Sequence, residues 1–410
     1  MTETPSVSSK KRIAPFVLLQ IASFTALSGG SMIFVLMPWM AIDLTGTATS
    51  AGLMVTITSI PGLLVSPIIG SVIDKFGRRR STIWIELVTS VVNLAIPVIA
   101  AIWTMNLPLL IAISLIRSVV GSGGGTARKS LIPDVAAAGK ITLERANSIH
   151  ESVFAAGFAV GPALAALSII WLGSINSFIV VAILGAISGF ITLLIKVTEQ
   201  HEAHDDDEGR HWASYAVQGF KILFQTPSVL ILMSSIMTLA VVYLPTEMVV
   251  LPTYYNKSGH PEGLGFLISI MAGFTTLGSL LFEKWVKYLS YSNMLRVALL
   301  GVGLSMLPMS LLPDQWVMLV CGAFLGFCWG PLPPLLNTVI QRKIPANKRG
   351  RVFSLEMTIW TAGPMISTMF VGWSVDTFTV PVVYPVIAVA VLLTGIIVST
   401  RRVLADLDAQ

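Results

Sequence analysis

Twelve long apolar runs separated by short polar gaps constrain this chain more than any single motif. They cover approximately residues 14–41, 48–73, 82–104, 107–128, 148–170, 175–197, 227–252, 263–286, 292–312, 315–339, 352–374 and 379–400. A hydrocarbon core of about 30 Å needs roughly 20 apolar residues per helix, and each run is long enough. The period-two alternation of a membrane barrel strand is absent. Apolar residues make up 54% of the chain and charged residues 11%, with a mean hydropathy of +0.81. A soluble domain carries about a quarter charged residues. The expected fold class is all-α: a polytopic membrane protein with twelve transmembrane helices.

The basic residues set its orientation. With the N-terminus in the cytoplasm, all of the 26 lysines and arginines fall on cytoplasmic segments except Lys257, Arg117 and Arg296. Every even-numbered loop then obeys the positive-inside rule, and both termini are expected in the cytoplasm. The net charge of +5 follows from this topology and points to no nucleic-acid partner. The first apolar run is too long for a cleaved leader and no Ala-x-Ala site follows it, so a retained first helix is expected. Cys321 and Cys328 share one predicted helix and cannot bridge, so no disulfide is expected.

The longest interruption is polar and divides the runs six and six. The segment 198–226 opens with an acidic tract containing His201, His204 and Asp205, then turns amphipathic around Trp212, Tyr215 and Phe220. It reads as a solvated linker followed by a helix on the membrane surface, not as a metal site. The flanking bundles, 1–197 and 227–410, echo each other. Arg128-Lys129 and Ile132-Pro133 close span four as Arg342-Lys343-Ile344-Pro345 close span ten. Arg145, Ser148 and Glu151 open span five as Arg351, Ser354 and Glu356 open span eleven, with Gly161-Pro162 and Gly363-Pro364 at similar depth. Such internal repeats mark secondary transporters, whose two bundles rock about a site near the midplane.

Between spans two and three stands Gly70-Ser-Val-Ile-Asp74-Lys75-Phe-Gly77-Arg78-Arg79-Arg80. Gly70 lets neighbouring helices approach. Asp74 can accept from Arg78 or face the N-terminus of another helix. Gly77 permits a tight turn, and the arginines suit anionic headgroups. Arg117 lies deep in span four with Gly121 four residues on; an intramembrane arginine costs at least about 2.5–3.5 kcal/mol and needs a cavity or a partner. Arg296 is close enough to the cytoplasm to snorkel. Among the acids, Glu86 lies near the 78–80 cluster and is expected to pair with it. Glu151 and Glu356 sit one turn after helix starts, where the dipole favours them. Glu247, in the outer half of span seven after Tyr243 and Pro245, is the foremost candidate for binding a proton or a cationic substrate, with Asp43 second.

In this setting the 70–80 string resembles the signature loop of the major facilitator superfamily. The resemblance implies two pseudo-symmetric six-helix bundles with an interdomain latch built on Gly70, Asp74, Lys75, Gly77, Arg78 and Arg79. Arg117-x-x-x-Gly121 resembles the family motif linked to proton coupling. Gly157-x-x-x-Gly161-Pro162 resembles its exporter motif, with Ala165-Ala166 where the family continues with glycines. In the family, spans one, four, seven and ten line the central cavity, which implies lining roles for Gln20, Ser28, Met32, Phe34, Arg117, Met237, Tyr243, Phe327, Trp329 and Asn337. Such a wall is aromatic, rich in thioethers and low in fixed charge, and suits a bulky amphipathic molecule. The stretches 326–331, 337–345 and 349–355, with Ala146-Asn147-Ser148 and Leu131-Ile-Pro-Asp134, are similar to the exporters that include macrolide-efflux and siderophore-export proteins.

The expectation is a secondary transporter of the bacterial-type inner membrane, working as a monomer. It would export small amphipathic compounds of the drug, macrolide or siderophore type by proton antiport. The alternative is a proton-coupled uptake symporter or a facilitator of a small organic solute. No nucleophile triad, metal-ligand cluster, phosphate-binding loop or Walker segment is visible, so neither enzyme activity nor a cofactor is expected.

Overall fold

The computed structural model describes residues 13–197, 221–400 and 407–408. Most of the 198–226 linker lies outside them, as do the side chains of Asp74 and Lys75 and the surroundings of Gly70. Among the described residues every regular element is helical: α1 (Ala14–Thr45), α2 (Ala48–Phe76), α3 (Arg78–Ile102), α4 (Leu107–Gly121), α5 (Gly124–Ser130), α6 (Ile132–Gly139) and α7 (Leu143–Leu194), then α8 (Pro227–Pro245), α9 (Leu251–Ser258), α10 (Pro261–Leu280), α11 (Phe282–Tyr288), α12 (Tyr291–Ser310), α13 (Gln315–Trp329), α14 (Leu332–Lys343), α15 (Ala346–Phe378) and α16 (Val380–Ser399). A π-helical turn, Thr246–Val250, joins α8 to α9. Nine helical stretches among the described residues are long and apolar enough to cross a membrane. Arg145–Leu194 counts there as one stretch, although Gly173 interrupts it with φ 78° and ψ 165°.

Local chemistry explains where the helices start and stop. The Asn106 side chain accepts from Leu109 N–H at 3.0 Å, and that of Ser290 from Asn293 N–H at 3.3 Å, so each caps a helix N-terminus. Gly77, at φ 88°, makes the turn between α2 and α3. The glycine run 123–125 divides span four: α4 ends at Gly121 and α5 begins at Gly124. Large apolar side chains point outward, with Trp84 68%, Val386 64% and Leu194 63% exposed. That pattern suits lipid as the solvent, since lipid tails are as apolar as these side chains.

Small residues set how closely the helices pack. The largest interface is α1 against α7, where Ser31 Oγ donates to Gly157 O at 3.0 Å. A Cβ at Gly161 would collide with Ser31 and with the backbone of Ser28 and Met32. Gly322, Gly326 and Gly330, four residues apart on α13 and just beyond its end, lie against α10 in the same manner. The two halves of the chain meet mainly through α2 with α15 and α7 with α10. The face that carries Arg78–Arg80, Lys284, Lys287, Arg342 and Lys343 is the basic face; the other is the far face.

Candidate functional site

Between the halves lies a cavity of about 570 Å³. Its wall comes from α1, the first half of α7, α8 with the π turn, α10, α13 with the start of α14, and α15. Phe34, Phe154 and Phe158 form one aromatic side, with Phe34 and Phe158 centroids 6.1 Å apart. Tyr243, Trp329 and Trp360 form the other, at 5.0 Å for the first pair and 6.3 Å for the second. Ser148, Glu151, Ser279 and Leu280 carry the wall toward the basic face.

Among the described residues two carboxylates line this space and no lysine or arginine does. Glu151 stands at the rim, where Lys129 Nζ meets its Oε1 at 2.8 Å. Glu247 accepts from the Tyr243 hydroxyl one helical turn back. It lies in the π turn, a geometry that often occurs at functional sites. A ring-walled pocket with one carboxylate at its inner end can hold a bulky amphipathic molecule, and a cationic one best, through ring faces and charge together.

Phe34, Tyr243, Trp329 and Glu247 stand on this wall. The other residues expected there are placed elsewhere. Gln20 is buried against His150, its Oε1 3.2 Å from the ring Nδ1. Ser28 and Met32 are buried beside Gly161 in the α1–α7 contact, and Met237 packs in the core of the second half. Phe327 stands edge-on to Trp285, centroids 5.1 Å apart, and Asn337 is exposed. No lining residue comes from span four; α7, α10 and α15 supply Phe154, Phe158, Thr275 and Trp360 instead. The signal for α7 was present in the sequence. Ser148, Glu151, Ala155 and Phe158 recur at helical spacing, so they share a face.

Arg117 faces a different space. It lines a cavity of about 130 Å³ inside the first half, where its Nε donates to Asn93 Oδ1 at 3.1 Å. It therefore does not share a chamber with Glu247. The expected partner of Glu86 is corrected: Glu86 pairs with buried Arg128 rather than with the 78–80 cluster. The glycines at 121 and 124 let Arg128 turn inward, whereas position alone had placed it in a cytoplasmic loop.

The arginines after Gly77 engage helix ends. Arg78 Nη1 donates to Ser130 O at 3.2 Å and lies 3.4 Å from Asp134 Oδ2. Arg79 donates to Thr192 O at 3.3 Å and Leu193 O at 2.6 Å, satisfying carbonyls at the end of α7. Gly157 and Gly161 of the exporter-like motif face α1, and Pro162 lies against Gly265 of α10. Asp43 is exposed and accepts from Asn256 Nδ2 at 2.6 Å, which ties α1 to α9 at the far face.

A helical membrane protein whose halves part around an aromatic, carboxylate-bearing cavity has the architecture of a solute transporter. The chain belongs to the Major Facilitator Superfamily, whose model matches residues 19–368 and 247–405. The multidrug efflux pump Tap of Mycolicibacterium fortuitum is 28% identical over 401 residues, covering 96% of this chain and 97% of that protein. The macrolide efflux protein A of Enterococcus faecalis is 23% identical over 310 residues, covering 73% of this chain and 93% of the relative. In fold, the chain is similar to a point mutant of the nucleoside transporter NupG, with a TM-score of 0.78, 14% identity and coverage of 94% and 100%. It is also similar to a bacterial homologue of the iron transporter ferroportin in its inward-facing state, with a TM-score of 0.68, 17% identity and coverage of 94% and 99%.

Proposed function

We propose that this protein exports small amphipathic compounds across a bacterial inner membrane by proton antiport, and that it favours cationic ones. The observation that carries the reading is Glu247, bonded to Tyr243 in an aromatic cavity between the two halves. The names of the multidrug and macrolide efflux relatives support export of drug-type compounds. The chain would form two six-helix bundles, 1–197 and 227–410, joined by the 198–226 linker, with twelve spans and both termini in the cytoplasm. The basic face is then cytoplasmic, and the cavity receives its substrate from that side.

Export needs the two bundles to alternate between inward and outward forms. A proton entering from outside reaches Glu247 and displaces a cationic substrate, because the neutral carboxyl no longer attracts it. Loss of that proton to the cytoplasm restores the charge for the next substrate. Asp43 belongs to the far-face tie in this scheme rather than to proton transfer. The 70–79 loop would latch the basic face when that face closes.

The test is efflux measured in inside-out vesicles with and without a pH gradient. Accumulation of a fluorescent lipophilic cation that an uncoupler abolishes supports proton antiport. Downhill flux indifferent to the gradient would indicate a facilitator, and gradient-driven movement in the opposite sense an uptake symporter.

A further inference from the structure

The smaller cavity inside the first half carries a charge that nothing else explains. One wall is a single face of α3, on which Glu86, Thr89, Ser90 and Asn93 recur at spacings of three and four residues. Arg117 of α4 and Arg128 of α5 face it. Gly29, Gly121, Gly124 and Gly185 contribute backbone to the remaining sides, which leaves the centre open.

The charges do not balance. Arg128 and Glu86 form a buried ion pair. Arg117 has only a neutral bond described, from its Nε to Asn93 Oδ1, and no carboxylate meets it among the described residues. Its two terminal nitrogens carry four further N–H donors, and a guanidinium cannot lose its charge inside a protein. The Ser90 hydroxyl is already spent on Glu86 O at 2.8 Å. The Thr89 hydroxyl is buried with no partner among the described residues. An unpaired cation this deep costs several kcal/mol, and buried charges are accordingly paired.

We propose that this chamber binds a small monovalent inorganic anion of chloride size, held between the Arg117 guanidinium and the Thr89 hydroxyl. The two arginines and Glu86 leave a net charge of one, which one monovalent anion neutralises. A volume of about 130 Å³ suits such an ion with a few waters, since each water takes about 30 Å³, and it excludes a drug-sized molecule. The site is independent of the export reading, because Glu247 lines the other cavity. Its occupant fixes Arg117 and the loosened helix of span four and is not a transported substrate.

The test is thermal unfolding of the purified full-length protein at fixed ionic strength, with sodium gluconate replaced stepwise by chloride, bromide, nitrate or sulfate. A saturable rise in Tm with the first three, weak or absent with sulfate and gluconate, is expected. Arg117→Gln should weaken the apparent affinity at least about thirtyfold, as loss of one partner of a buried charged pair does. Thr89→Val should weaken it about tenfold, through loss of one hydrogen bond to a charge. Glu247→Gln should leave the anion response intact, which separates failure here from failure of the central cavity. Bromide in crystals of the unaltered protein should give an anomalous peak between Arg117 and Thr89. Identical melting in chloride and gluconate, or a full response in Arg117→Gln, overturns the proposal. Should Arg117→Gln fail to fold, Thr89→Val and the bromide peak decide; an unchanged response with no peak overturns the proposal equally.

Discussion

The two faces of the molecule differ in how the halves meet. At the far face they touch at backbone level. Ala48 and Thr49 N–H, the first free donors of α2, bond to Asp376 Oδ1 and Oδ2, each at 2.7 Å. Asp376 belongs to α15, so a helix of one half is capped by a carboxylate of the other. A Cβ at Gly52 would collide with the backbone of Thr368, and one at Gly372 with that of Ala48. Thr56 Oγ1 donates to Met365 O at 2.6 Å a turn deeper, and Asn256 meets Asp43. Toward the basic face the same halves part around the cavity, and Glu151 stands exposed at its rim. A closure built from glycine contacts and a few charged caps is tight but shallow. Each cap contributes about 0.3–2 kcal/mol, so a modest bias reverses it.

The largest test strikes the close approach itself. Gly52→Val sets a branched side chain against fixed backbone, an overpacking of about 1–3 kcal/mol that shifts the closed population by roughly one to two orders of magnitude. Spin labels at Thr47→Cys and Thr377→Cys, in a background lacking Cys321 and Cys328, should then report a longer, broader distance. Unchanged distances would mean that the far face is not held by this contact. The second test concerns what drives the face open. Glu247 lies at the start of the π turn that leads into α9, and α9 carries Asn256 to the tie. Glu247→Gln should lower gradient-driven efflux by about tenfold or more, the effect of losing roughly 1.4 kcal/mol of coupling, while substrate exchange persists. Normal gradient-driven efflux in that variant removes Glu247 from the coupling step.

These contacts also divide what the sequence reveals from what it hides. Helix existence was legible because apolar runs of 20 residues admit few alternatives. The turn at Gly77 was legible because a glycine stands in a short polar gap between two apolar runs, and the structure gives it φ 88°. The wall of the cavity was not, because which face of a span turns inward depends on neighbours far along the chain. Met32 and Met237 read as lining yet are buried in packing, while Phe154 and Trp360, which nothing in the sequence singled out, line the cavity. The partner of Glu86 was misassigned for a related reason. Proximity along the chain favoured Arg78–Arg80, but the glycines after Arg117 redirect Arg128, 42 residues away, into the bundle. The capping role of Asp376 was not legible, since a cap supplied by another half leaves no local signature.

The two smallest tests rank the far-face ties against each other. Asp376→Ala strips the cap from two N–H groups at the start of α2, a loss of about 1 kcal/mol, so the closed-to-open ratio should fall about fivefold by the same spin labels. Asp376→Asn keeps one acceptor oxygen and should recover part of that. Asn256→Ala removes a single exposed bond to a carboxylate, worth about 0.5 kcal/mol or less, and should change closure only about twofold. This order follows from geometry: Asp376 engages the end of a helix dipole with both oxygens, whereas Asp43 is solvated and engages one amide. The reverse order would be informative. It would place the control of closure on α9 and the π turn beside Glu247 rather than on the α2–α15 contact.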